Sequence, residues 1–126
     1  MLFFAQYPVE VVHAAIDEAA SRGSARGVLP DGVKFKTGSH RLVLFKTKGV
    51  ACTACGIEGE IYVLESHSRD IPPHLNLYAV KENGKRVLMT KDHTIPKSKG
   101  GRNSLENYTT MCSPCNGKKS DKLEAA

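Results

Sequence analysis

No stretch of this 126-residue sequence approaches the roughly 18 consecutive apolar residues that a membrane-spanning helix requires. A secretory signal is not expected either, because the opening segment MLFFAQYPVEVVHAAIDEAA has no basic start and carries acids within it. There are no internal repeats or low-complexity tracts, and 126 residues are too few for two comfortable domains. The expectation is one globular unit, soluble and cytosolic. Acids are the scarcer charge, with 13 Asp and Glu against 18 Lys and Arg. That surplus favours a polyanionic partner without requiring one, since many basic proteins bind no nucleic acid.

What is present is more specific. Four cysteines fall in two pairs, Cys52/Cys55 and Cys112/Cys115. A reducing cytosol disfavours disulfides and leaves thiolates to hold a metal. Two residues between cysteines let a knuckle turn both sulfurs toward one ion, and two such knuckles can surround zinc tetrahedrally. Residues 56–111 lie between the pairs, more than a compact zinc ribbon contains, so the knuckles would clamp together segments distant in sequence. Such a zinc is structural, because four protein ligands leave no open position. Reduced core cysteines or two redox pairs account less well for the paired spacing.

Along the chain, PVEVVHAAIDEAASRG (Pro8 to Gly23) predicts an amphipathic helix with Val9, Val12, Ile16 and Ala20 on its apolar face. His13 within it reads as a packing or surface histidine rather than a ligand. VLPDGVKFKTG reads as a hairpin or loop, and RLVLFKTKG as a strand leading into ACTACG, where Gly49 and Gly56 bracket the first knuckle. Three further strands are expected in EIYVLES, LNLYAVKE and KRVLMTKDH, with ENGK giving the signal of a two-residue hairpin between the last two. That hairpin delivers Asp92 and His93 at a strand end. Thr94 to Glu106, with Pro96, Gly100 and Gly101, is a polar loop. A short helix can begin at Ser113 with Pro114 in its first turn, although Gly117 argues against it, and LEAA reads as a frayed tail.

Neighbours on an extended strand point to opposite sides, so Asp92 and His93 do not both serve one metal unless the strand ends there. They can divide the labour. An aspartate suits a hard divalent ion, and a histidine with an ordinary pKa of about 6.5 accepts a proton near neutrality. Phosphodiester hydrolysis needs both, because a water must lose a proton while charge on the phosphoryl and leaving oxygens is neutralised. The pair alone is weak evidence. Its spacing to GG, Asn107, CxxCN and the lysines makes it informative.

The stretch DHTIPKSKGGRNSLENYTTMCSPCNGKK resembles the HNH endonuclease family, specifically zinc-containing members with the pattern D-H, GG, N, C-x-x-C-[HN], K. With CTACG included, the resemblance covers roughly residues 50 to 120. HLNLYAV and VLMTKDH before the motif are similar to small stand-alone HNH proteins of bacteriophages, while the N-terminal third shares none of the likeness. The resemblance implies an α+β chain with a ββα-metal (His-Me finger) core: two strands joined by a long loop and packed on a helix around one divalent cation. Residues 1–49 would form an N-terminal helix and strand extension with β-hairpin elements, and residues 50–126 the nuclease domain with its zinc site, in one compact unit.

Family roles then carry over by position. His93 matches the general base and Asp92 a metal-binding acid. Asn107 resembles the central asparagine that ties down the loop and helps orient the base. Asn116 stands where the last histidine or asparagine of the motif holds the catalytic metal, which makes this an H-N-N variant. Oxygen ligands from Asp92 and Asn116 favour magnesium or manganese there, with zinc at the cysteines. The implied reaction is single-metal hydrolysis of DNA, nicking or double-strand, leaving 5′ phosphate and 3′ hydroxyl ends. Lys97, Lys99, Arg102, Lys118 and Lys119 are the expected phosphate contacts. Implied partners are DNA and a phage packaging or replication protein, in the cytoplasm of a host cell. The competing readings are a non-catalytic zinc-dependent nucleic-acid-binding module, which needs neither Asp92 nor Asn116, and a zinc-held protein adaptor. His40, His67 and His74 receive no role.

Overall fold

Five antiparallel strands carry the fold, in the spatial order β1 (Leu2–Pro8), β4 (Gly59–Ser66), β5 (His74–Val80), β6 (Arg86–His93) and β7 (Tyr108–Cys112). Between β1 and β4 the chain forms α1 (Val9–Ser21), a small hairpin of β2 (Arg26–Val28) and β3 (Lys34–Lys36), and α2 (His40–Lys48). α3 (Ser113–Ala125) follows β7 without a loop. The computed structural model describes the backbone of residues 1–125 and the side chains of residues 1–119, so the side chains of the LEAA tail lie outside the described residues. Among the described residues no helix is long and apolar enough to cross a membrane.

The core lies between the sheet and the pair α1 and α2. Tyr62, Leu77, Met89 and Tyr108 project from the strands and meet Val12 of α1 and Leu42, Leu44 and Phe45 of α2, all buried. Each such aliphatic or aromatic side chain contributes roughly 1.5–3 kcal/mol by leaving water. Cys52 and Cys112 belong to the same cluster.

β6 changes partners along its length. Arg86–Leu88 pair with β5, whereas Met89–His93 pair with β7 in the register Asp92↔Thr109 and His93↔Tyr108. The strand end bearing Asp92 and His93 is therefore held by β7, with α2 and α3 packed against the same two strands.

Three local expectations need correction. RLVLFKTKG is helical: Ser39 caps α2 by accepting the Leu42 amide at 3.2 Å, Leu42 and Phe45 fall one turn apart on the buried face, and Gly49 ends the helix at φ +107°. A short apolar run cannot be told from a strand by periodicity, and here the cap decided it. The inward stripe of α1 is Val12, Ala15 and Ala19, and Ala20 is exposed. The β5–β6 connection is a three-residue loop closed by Gly84 N–H to Lys81 O at 2.8 Å and Lys81 N–H to Lys85 O at 2.9 Å. Gly84 has φ +82° but Asn83 does not enter the left-handed region, as a two-residue turn of that type requires, so a glycine bulge forms instead. LFFAQYP, for which the sequence reading named no element, is the edge strand β1.

Candidate functional site

Residues 50–59 fold back into a knuckle: Cys52 N–H donates to Ile57 O and Gly56 N–H to Cys52 O, both at 2.8 Å. The knuckle is tied to β7 by Thr53 N–H to Thr110 O at 3.0 Å and by Thr110 Oγ1 to Gly49 O at 2.7 Å. These contacts bring Cys52 and Cys55 to Cys112, the last residue of β7, and to Cys115 in the first turn of α3. All four Sγ atoms lie within 4.8 Å of one another, and Cys55 Sγ is 3.7 Å from Cys112 Sγ. A tetrahedron of Zn–S bonds near 2.3 Å has edges of about 3.8 Å, so the donor set fits zinc. It is the one such group of potential metal ligands among the described residues. The thiols are unequal. Burial opposes ionisation of Cys52, but backbone hydrogen bonds from Cys112, Cys55 and Ala54 outweigh it and lower its pKa to about 6. Burial pushes Cys112 up to about 12, against a backbone hydrogen bond from Cys115. A metal recruits thiolates from both kinds, since the thiolate is the ligand.

At the end of β6 the two expected catalytic residues face opposite ways. His93 lies on the side of its register partner Tyr108, meeting that ring edge-on with centroids 5.1 Å apart. Its Nε2 is 2.7 Å from Asn103 Oδ1. With the amide oxygen assigned to this contact, Nε2 carries the hydrogen and Nδ1 keeps the lone pair. Tyr108 is itself pinned. His40 Nδ1 is 3.0 Å from its hydroxyl, Lys48 donates to its carbonyl at 2.9 Å, and Lys91 Nζ stands 4.4 Å from its ring centroid.

Asp92 lies on the α3 side, where Lys119 donates to its Oδ2 and, at 3.1 Å, to the His93 carbonyl. Thr90, two residues back on the same strand face, accepts from Asn116 Nδ2 at 3.0 Å and donates to Met111 O at 2.7 Å. Asn116 and Lys119 are one helical turn apart, so α3 presents both to the Asp92 face of β6. Asn116 thus reaches the aspartate's side of the strand, with Thr90 as its contact, while the carboxylate is met by Lys119.

The loop between β6 and β7 is ordered by one side chain. Asn107 accepts from Ile95 N–H at 2.8 Å and donates to Ile95 O at 3.0 Å and Arg102 O at 2.9 Å. Its own carbonyl takes the Thr94 amide at 2.7 Å. The loop closes so tightly that a Cβ on Gly101 would stand 1.7 Å from Ile95 O, and Gly100 before it adopts φ +89°. Here the GG of the sequence has its reason.

Of the expected residues, Asp92, His93, Asn107 and Asn116 all gather on β6, its loop and the start of α3. Lys97 and Lys99 sit in an exposed 3-10 turn, Arg102 and Lys118 are exposed, and Lys119 is held by Asp92. Asn107 touches the loop rather than the His93 ring, and the ring's amide partner is Asn103. Asn103, Tyr108 and His40 escaped sequence reading. Tyr108 becomes visible only once the β6–β7 register is known, and His40 lies 68 positions away from it.

Comparison with known proteins bears on the same segment. No curated protein and no solved structure matches the chain. Residues 79–126 match the family model described as HNH endonuclease, a span that takes in Asp92, His93, Asn107, Cys112, Cys115 and Asn116. Over these residues, less than half of its length, the chain is similar to the HNH endonuclease family.

Proposed function

We propose that this protein is a metal-dependent HNH endonuclease hydrolysing DNA phosphodiester bonds, with β6, its loop, β7 and α3 acting as a ββα-metal core. The observation that carries the reading is the division at the strand end: His93 on the Tyr108 side, Asp92 on the face that α3 covers with Asn116 and Lys119. The four cysteines hold zinc and fix the start of α3 against β7 and the knuckle.

Asp92 and Asn116 offer a carboxylate and an amide oxygen from one side of the strand, a hard donor set that suits magnesium or manganese. The space before Asp92 already accommodates a cation, the Lys119 ammonium. A divalent ion bound there would supply charge for the phosphoryl and leaving oxygens. His93 Nδ1 takes the proton of a water, whose oxygen attacks phosphorus as the bond to the 3′ oxygen breaks, leaving a 5′ phosphate and a 3′ hydroxyl. Asn103 and Tyr108 hold the imidazole, and Asn107 holds the loop that carries Asn103. One such centre cuts one strand, so a double-strand break requires sequential nicks or a second copy. The likeness to bacteriophage proteins extends the reading to DNA packaging or replication in a host cytoplasm.

The test is nicking of supercoiled plasmid by zinc-loaded protein with and without added magnesium. Cleavage should need magnesium and vanish in His93→Ala, with zinc content and thermal unfolding unchanged; undiminished cleavage by that variant sinks the assignment. The Lys119–Asp92 ion pair favours a second reading, a non-catalytic zinc-dependent nucleic-acid-binding module, because it neutralises the carboxylate from within. DNA binding with no magnesium-dependent cleavage would establish that one instead.

A further inference from the structure

Four of the eight basic residues outside the family-matched segment lie together. Arg26, Lys34, Lys36 and Arg41 line one groove of about 540 Å³ between the β2–β3 hairpin, the start of α2 and the Pro72–Leu75 segment. A second hollow of about 500 Å³ adjoins it, sharing Ser39 and Arg41 and ending at Thr90 and Lys91 of β6. Neither wall contains an aspartate or a glutamate. Among the described residues, none of these five cations pairs with a carboxylate.

The hairpin holds its charges in place against their own repulsion. Phe35 packs its ring where a Cβ on Gly27 would sit, 2.6 Å away, which turns Lys34 and Lys36 to the opposite, exposed side. Arg26 stands directly across from Lys36 in the register, a like-charged cross-strand pair that costs stability unless an anion relieves it. Nothing within the described residues relieves it. At the other end, Lys91 lies on the strand face of His93, so the basic surface runs from the hairpin to the candidate base.

We propose that this groove is a second track for the phosphate backbone of duplex DNA, carrying the substrate away from the cut site across the N-terminal hairpin. The proposal rests on the nuclease reading for the identity of the ligand, and it gives residues 1–49 a function, that of lengthening the contact which the small family segment makes alone. Its ligand is recognised by charge, so the track holds backbone without reading sequence.

The experiment measures binding of a duplex long enough to cover the whole protein, across a salt series and without added divalent metal. Lys34→Gln with Lys36→Gln should reduce the slope of log affinity against log salt by about 1.8 and weaken binding about thirtyfold near 0.15 M salt, from about 0.9 per neutralised phosphate. Lys81→Gln with Lys85→Gln removes the same charge at the β5–β6 turn, roughly 20 Å from Asp92 along the strand, and should leave the slope unchanged. Equal slopes for the hairpin variant and wild type overturn the groove, as do equal losses in both variants or wild-type binding that ignores salt. The nuclease reading fails separately. Wild-type binding with the expected slope loss but no cleavage leaves the track standing, whereas cleavage with no slope loss removes the track alone.

Discussion

Replacing Asn107 by alanine is the sharpest perturbation of the loop, because one amide side chain makes three of its hydrogen bonds, to Ile95 N–H, Ile95 O and Arg102 O. Each is worth about 0.5–1.5 kcal/mol net, and at an exposed site water recovers part of the loss, so about 2 kcal/mol of local stability should go. That corresponds to about a thirtyfold rise in the open population of the loop. The backbone bond from Thr94 to the carbonyl of residue 107 survives the substitution, as does the cysteine cluster, so the global transition should barely move. Amide hydrogen exchange at Ile95 reads the effect directly, since it reports local opening separately from global unfolding. Exchange there should accelerate about thirtyfold while amides of β4 and β5 stay protected. Cleavage should fall about a hundredfold through displacement of the loop, with zinc content unchanged. An Ile95 exchange rate within about a factor of two of wild type would refute the idea that this side chain orders the loop.

Two further outcomes test other parts of the fold. Stripping zinc with a strong chelator should abolish cooperative unfolding, because structural zinc contributes about 10–16 kcal/mol in small domains and whole-domain stability is about 5–15 kcal/mol; Cys55→Ser, at the exposed ligand, should lower the melting temperature in zinc-replete buffer, and a chelated protein that melts as before would disprove a structural zinc. His13, whose Nε2 lies 2.7 Å from the buried Tyr62 hydroxyl, has its pKa lowered first by burial and then by Lys46. The folded state thus keeps it neutral where the unfolded chain takes up a proton, so its contribution is complete above about pH 6.5 and lost as pH falls below it. Urea midpoints at pH 7.5 and 5.5 should differ more in wild type than in His13→Gln, and identical differences would count against this account.

Much of the candidate site was legible because its signals are local. CxxC pairs state their chemistry in four residues, and DH, GG, Asn107 and CxxCN follow one another within a single strand–loop–strand–helix passage. Alternating apolar residues likewise announced β4, β5 and β6, and the proline-led apolar repeat announced α1. RLVLF was ambiguous for a physical reason: a five-residue apolar run satisfies a buried strand and a short helix equally, and the Ser39 cap is a weak signal until the packing is known.

By itself the sequence determined which atoms are available: four thiols able to hold a metal, a carboxylate beside an imidazole, and an asparagine placed to bridge the loop. Only the tertiary structure decided which of them meet. The register that sets His93 against Tyr108, the turn of α3 that lays Lys119 on Asp92, and the position of α2 between the β2–β3 hairpin and β6 all join residues far apart in the chain. Such contacts depend on how whole elements pack, and no short window of sequence contains both halves of them.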